Sequence, residues 1–225
     1  MKKQSNFYAV RVLVQRIFGI LLYFAGSRWV YGVRPITYFA MYLVFAAVSL
    51  AMVRGISSGT LSAREASMAN TPSGDKILIA LYWTFAYLVI YYIAGLESAV
   101  APKTVGLVFG AGIALFVASF LLSLWAVRVN PFLESASRVP RDICQPVCRC
   151  GPYGVIRHPT YAAVLIWCAA VSMMFETMFT AICAGVIALI IIVRTALEDR
   201  MLIDGLSGYP EYAEQVKYRL IPFIW

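Results

Sequence analysis

Charged residues divide this chain into long apolar runs. Three runs carry no charge over spanning length: Pro35 to Val53, Ile77 to Leu96 and Thr104 to Val127. A helix needs roughly 20 mostly apolar residues to cross about 30 Å of hydrocarbon, so each run predicts one transmembrane helix. Two shorter runs follow, Pro159 to Phe175 and Thr177 to Val193, split only by Glu176. At 1.5 Å per residue each makes a helix of about 25 Å, and together they predict a helical hairpin turning at Phe175–Phe179. The N-terminal run, Phe7 to Val33, is broken by Arg11, Arg16 and Arg28. It predicts a first span near residues 9–27, with an interfacial amphipathic helix as the alternative. The expectation is an all-α polytopic bundle of about six transmembrane spans, with a C-terminal hairpin and an interfacial tail.

Composition agrees. The chain is 61% hydrophobic and 13% charged, about half the charge of an ordinary soluble domain. With six spans, sixteen of the nineteen Lys and Arg residues fall on one side and only Arg28, Arg34 and Lys103 on the other. By the positive-inside rule both termini are expected in the cytoplasm. The net charge of +8 follows from this asymmetry and does not call for nucleic acid. Met1-Lys2-Lys3 opens like a signal peptide, but Arg11 and Arg16 break the apolar stretch that should follow, so an uncleaved first helix is expected. The chain reads as one membrane domain, 1–225, with N-terminal helices over 1–128 and a loop, hairpin and tail over 129–225.

Of the five cysteines, Cys168 and Cys183 lie in predicted spans, where a thiol behaves as a small apolar group. Cys144, Cys148 and Cys150 cluster in a loop expected to be cytoplasmic and reducing, which disfavours a disulfide. A zinc site needs four ligands and His158 is the one histidine, so no metal is expected. Incidental thiols or a palmitoylated cysteine are the plainer readings. Gly106, Gly110 and Gly112 share one span and suggest close helix packing.

Candidate chemistry gathers at two helix ends. The first is Gly151-Pro152-Tyr153-Gly154-Val155-Ile156-Arg157-His158-Pro159-Thr160-Tyr161. Pro159 suits the first helical position. Arg157 and the N–H groups of Thr160 to Ala162 would then form an anion site. The second is Arg194-Thr195-Ala196-Leu197-Glu198-Asp199-Arg200, where two acids near a helix C-terminus oppose the dipole. A hairpin sets Arg157 and His158 beside Glu198 and Asp199. A bound amino acid would fit there, its carboxylate on Arg157 and its ammonium on Glu198 or Asp199. S-adenosylmethionine has such an end, with Tyr153, Tyr161 or Tyr212 offering an aromatic face to the rest. The same residues also read as topology signals, a solvated ion-paired helix face and interfacial tyrosine anchors.

The run "GPYGVIRHPTYAAV", a hairpin, and then "RTALEDRMLIDGLSGYPEYAEQVKYRLIPFIW" closely resemble the isoprenylcysteine carboxyl methyltransferase-like membrane proteins, whose superfamily also contains phospholipid N-methyltransferases. The resemblance is strong over 151–225, weaker over "SGDKILIALYW" and "IAGLESAV", and slight in the first helices. It implies a cytoplasmic S-adenosylmethionine site built from Tyr153, Arg157, His158, Pro159, Tyr161, Glu198 and Asp199, with Tyr209, Tyr212 and Arg219 of the tail folding back over it. The acidic pair is Glu-Asp where many relatives have Glu-Glu, and Ala163 stands where many have Gly. "CQPVCRC" has no recognised counterpart.

A sulfonium methyl is already electrophilic, so the protein has to align an acceptor and exclude water, with no metal required. The favoured reading is an integral membrane S-adenosylmethionine-dependent methyltransferase. Its expected partners are the lipid bilayer and a lipophilic acceptor, either a prenylcysteine carboxylate or a lipid amine. Arg194 is a candidate for steering that acceptor, or pairs with Glu198 at i+4. A sterol-reductase-like NADPH enzyme is the runner-up, and a transporter or partner-binding subunit is third. Transport sites usually place ionisable groups near mid-membrane, and spans 35–53, 77–96 and 104–127 carry none.

Overall fold

The computed structural model describes residues 2–53, 73–100, 104–130 and 147–225. They form seven helices and, among the described residues, no strand: α1 Lys2–Gly26, α2 Val33–Val53, α3 Ser73–Val100, α4 Leu107–Val129, α5 Pro159–Phe175, α6 Met178–Gly205 and α7 Tyr209–Gln215. Helices α2, α3, α4 and α6 are long and apolar enough to cross a membrane, while Val12–Gly26 of α1 and Pro159–Phe175 are shorter apolar helices. These six account for the spans expected from the charge-free runs. α3 holds one π-helical turn, Phe85–Val89. Cys144 and the loops 54–72 and 131–146 lie outside the described residues.

The core is aromatic. Tyr23, Tyr38, Phe39, Tyr42, Tyr91, Phe116 and Phe175 are buried where α1, α2, α3, α4 and α5 meet. The Tyr38 and Tyr91 hydroxyls are 3.1 Å apart, and Trp167 Nε1 donates to Tyr38 Oη at 3.2 Å. Bonding these polar tips to one another inside an apolar bundle fixes the three rings and leaves none of the three as a costly orphan. Val14, Leu43, Leu81, Leu121, Leu189 and many others face outward, the apolar periphery a lipid-embedded bundle requires.

Close packing runs along two seams. Gly95 of α3 lies against α1, where an added Cβ would fall 2.2 Å from the Tyr23 carbonyl oxygen. Gly112 of α4 lies against α5, where a Cβ would meet Met174 at 2.8 Å. Gly106 and Gly110, expected to share that role, have nothing within 4 Å of such a Cβ. Gly106 precedes α4 in extended conformation and Gly110 sits on another face, so only one glycine of the three serves the seam. Ser119 Oγ donates to the Ala163 carbonyl at 2.7 Å across it.

The hairpin differs from its expected form in length. α5 ends at Phe175 as predicted, and Glu176 adopts a left-handed conformation (φ 52°) that closes the turn. α6 does not stop at Val193 but continues to Gly205. Glu198 and Asp199 therefore lie within the helix rather than beyond it. Asp199 is six residues short of Gly205, outside the last turn where the dipole would oppose it. Charges that end an apolar run do not end a helix, and "RTALEDRML" is built from good helix formers.

The end of the bundle where the hairpin turns is locked by an ion pair and a capping carboxylate. Arg34 of α2, only 6% exposed, pairs with Glu176 and donates to the Met174 carbonyl at 2.9 Å and to the Thr104 carbonyl. Glu97 of α3 accepts the Phe179 and Thr180 N–H groups at 2.9 and 2.8 Å. A carboxylate from a neighbouring helix thus caps the start of α6, where the dipole favours it.

Candidate functional site

The opposite end carries a polar cluster centred on Asp199. This side chain has no exposed surface. Its Oδ1 accepts from Arg157 Nε at 2.8 Å, Tyr209 Oη at 2.9 Å and His158 Nε2 at 3.1 Å. Its Oδ2 accepts from Arg157 Nη2 and Arg219 Nε, both at 2.7 Å. Because an ionised carboxylate only accepts, His158 must carry its proton on Nε2 to take part. Burial, together with the Asp199 charge, pushes the Tyr209 phenol well above its usual range, so it remains a donor.

Arg157 ties this cluster to the tail. Its Nη1 donates to the Val216 carbonyl at 2.8 Å and the Lys217 carbonyl at 3.1 Å. The Arg157 and His158 N–H groups donate to the Tyr218 and Arg219 carbonyls, each at 2.9 Å. Tyr212 Oη donates to the Tyr153 carbonyl at 2.7 Å, joining α7 to the Gly151–Gly154 3-10 turn. Gly208, left-handed at φ 80°, turns the chain from α6 into α7. Four residues from three separate segments thus converge on one carboxylate through five hydrogen bonds.

The hairpin brings together Arg157, His158, Glu198 and Asp199, and adds Tyr161, whose hydroxyl donates to Glu198 at 2.5 Å. The His158 and Tyr161 rings lie nearly parallel, with centroids 5.8 Å apart. Pro159 starts α5 as expected. Two details differ from the sequence reading. All three guanidinium nitrogens of Arg157 are engaged within the protein, and the Tyr161 and Ala162 N–H groups bond the His158 carbonyl. Of the open anion site expected there, Arg157 and the Tyr161 and Ala162 N–H groups are thus taken up by local hydrogen bonds. Glu198 is only partly buried and sits at the cluster's edge.

Arg194 is 4% exposed, and its Nε donates to Asp75 Oδ1 at 2.8 Å, while its guanidinium lies 5.3 Å from the Tyr161 ring centroid. Asp75 was missed by sequence reasoning. It opens α3, 119 residues away, and the only signal was an acid at the membrane end where Arg194 leaves it. Cys148 is part-buried, with Sγ 3.5 Å from the Val129 carbonyl, and Cys150 is exposed. Among the described residues no group of three or more His, Cys, Asp or Glu side chains could hold a metal.

Fold and site together define an integral membrane helical bundle with a polar, tail-covered cap at one end. Residues 107–206 match the family model of the phospholipid methyltransferases, a family within the isoprenylcysteine carboxyl methyltransferase-like superfamily. The matched segment runs from the start of α4 to the residue after α6 and includes Arg157, His158, Glu198 and Asp199. No curated protein matches the chain. The family match and the apolar helices support a membrane methyltransferase.

Proposed function

We propose that this protein is an S-adenosylmethionine-dependent methyltransferase acting on a lipophilic acceptor that reaches it from the bilayer. The observation that carries this reading is the cluster at the hairpin's open ends: Glu198, Tyr161, His158 and Arg219 border a buried Arg157–Asp199 pair within the segment that matches the family.

The donor set fits the cofactor's amino-acid end. Glu198 is a part-exposed carboxylate suited to an ammonium. Arg219, one-third exposed, is a guanidinium suited to a carboxylate. Tyr161 and His158 offer parallel ring faces beside them. When bound, the cofactor supplies an electrophilic methyl on a sulfonium. Arg157 and Asp199 neutralise each other and hold His158, Tyr209 and Arg219 in place, so we assign them to positioning. The tail, latched by Arg157 and Tyr212, covers the site and keeps water away from the reacting atoms. Tyr153, Tyr212 and Pro159 shape the loop and the helix start rather than bind. Arg194, held by Asp75, fixes α6 against α3 and leaves acceptor steering to other groups. The Lys and Arg distribution supports a cytoplasmic position for both termini.

The test is methyl transfer from labelled S-adenosylmethionine to membrane lipid extracts, prenylcysteine analogues and lipid amines. Label in an organic-soluble product, lost in Glu198→Gln, is expected. Absence of transfer, together with NADPH binding, would replace this reading with the reductase.

A further inference from the structure

A cavity of about 190 Å³ lies inside the bundle, bordered by α1, α2, α3, α4 and α5. Its walls are largely aromatic, including Phe45, Tyr87, Phe120 and Trp167. Ser49, Ser119, Ser123 and Thr160 add hydroxyls to that lining, and two further polar features stand out. Arg16 of α1 projects there, with its guanidinium 4.0 Å from the Tyr42 ring centroid and 5.2 Å from that of Tyr87. Tyr42 is 4% exposed, and its hydroxyl makes no hydrogen bond of regular geometry, with only the Arg16 and Tyr91 side chains near enough for a weak contact.

Both features are costly as they stand. A cation within a span is expensive unless it meets a counter-charge or water. Ring faces offset only part of that cost, and among the described residues no carboxylate pairs with Arg16. A buried hydroxyl without a partner adds its own desolvation penalty. One group would satisfy both: an oxyanion that accepts from the Arg16 guanidinium and from Tyr42 Oη. The cavity is smaller than the roughly 300–1,000 Å³ of usual ligand pockets. It has room for a headgroup and a few carbons, so any long chain must continue outward between helices.

We infer that this cavity binds the anionic group, carboxylate or phosphate, of a membrane-soluble amphiphile, with Arg16 and Tyr42 as its recognition pair. Thr160 lines the cavity, and the next residue, Tyr161, bonds Glu198. Taken with the methyltransferase reading, on which this part rests, the cavity is the acceptor's pocket, and the acceptor class is an anionic amphiphile rather than a neutral lipid. Arg16 then selects the acceptor from within the bilayer, a task that topology alone would not give it.

The test measures binding without cofactor, so it succeeds or fails independently of methyl transfer. The intact protein in nanodiscs is titrated with a bromine-labelled fatty acid, a bromine-labelled phosphatidic acid and the corresponding brominated fatty alcohol. Quenching of Trp167, which lines the cavity, is the readout, with Trp167→Phe as the control for the other tryptophans. Both anionic probes are expected to bind at least about tenfold more tightly than the alcohol, as a charge-assisted hydrogen bond implies. Arg16→Gln should erase that preference, Arg16→Lys should keep most of it, and Tyr42→Phe should reduce it. Should Arg16→Gln fail to fold, the acid-against-alcohol contrast in the unmodified protein and in Arg16→Lys decides. Equal binding of acid and alcohol, or an acid preference that survives in folded Arg16→Gln, would overturn the assignment. Inorganic phosphate should not displace the acid probe at millimolar concentration, and displacement by phosphate alone would overturn the amphiphile.

Discussion

Replacing Asp199 with Asn keeps the side chain's size and removes its charge. The carboxylate takes five hydrogen bonds, two of them a bidentate grip from Arg157, and is fully buried. Arg157 is 6% exposed in its side chain, so its charge would be left in the interior without a counter-ion. Breaking a buried pair by removing one partner costs on the order of 3–5 kcal/mol. Arg219 is one-third exposed and water can replace its bond, so it adds little. For a chain of this size 1 kcal/mol moves Tm by about 2–4 °C, which suggests a fall on the order of 10 °C. The loss should be local first, because Arg157 also holds the Val216 and Lys217 carbonyls. Hydrogen exchange over 209–225 should therefore accelerate in Asp199→Asn while the amides of α4 and α5 remain protected. The assays are a thermal melt in detergent and exchange mass spectrometry on the tail peptide. An unchanged melt with unchanged tail protection would refute the idea that Asp199 organises the cap.

Gly95→Ala should destabilise by about 1–3 kcal/mol, because its Cβ would sit 2.2 Å from the Tyr23 oxygen and 2.9 Å from the Ser27 nitrogen, both backbone. Gly110→Ala, with nothing near its Cβ, should be neutral or slightly stabilising in the same melt. A double-mutant cycle of Arg194→Gln and Asp75→Asn should show a coupling of about 1–3 kcal/mol, and strict additivity would mean that their 2.8 Å contact carries no energy. Reporter fusions after Trp225 and within 55–75 should both report cytoplasm, while one at Glu176 reports the other side.

The length of the charge-free runs made the bundle legible. The boundaries of the charge-free runs correspond to α2, α3, α4 and α5 because a spanning helix excludes charge throughout its lipid-facing length. The end of α6 was not legible for the complementary reason: once a helix leaves the membrane, its stop depends on caps, and Arg194 marked the membrane's edge, not the helix's end. At the site, hairpin antiparallelism predicted which residues meet. It did not predict how they divide the work. Nothing in the order Glu198-Asp199 shows that Asp199 turns inward to five donors while Glu198 remains at the edge. That division is set by the 100° step between neighbours on a helix and by a tail that packs on one face only. Arg16 was read as a topology charge because its partners, Tyr42 and Tyr87, come from two other helices. Asp75 escaped for the same reason.

The most direct measurement is titration calorimetry of the purified protein in detergent with S-adenosylmethionine, repeated on Glu198→Gln and Asp199→Asn with an apo melt of each. Saturable binding is expected, weakened at least about tenfold in Glu198→Gln with little change in its melt, as loss of one charge-assisted contact implies. Asp199→Asn should lose binding together with stability. No binding to the unmodified protein, or equal affinity in Glu198→Gln, would contradict a cofactor site at the open end of the hairpin.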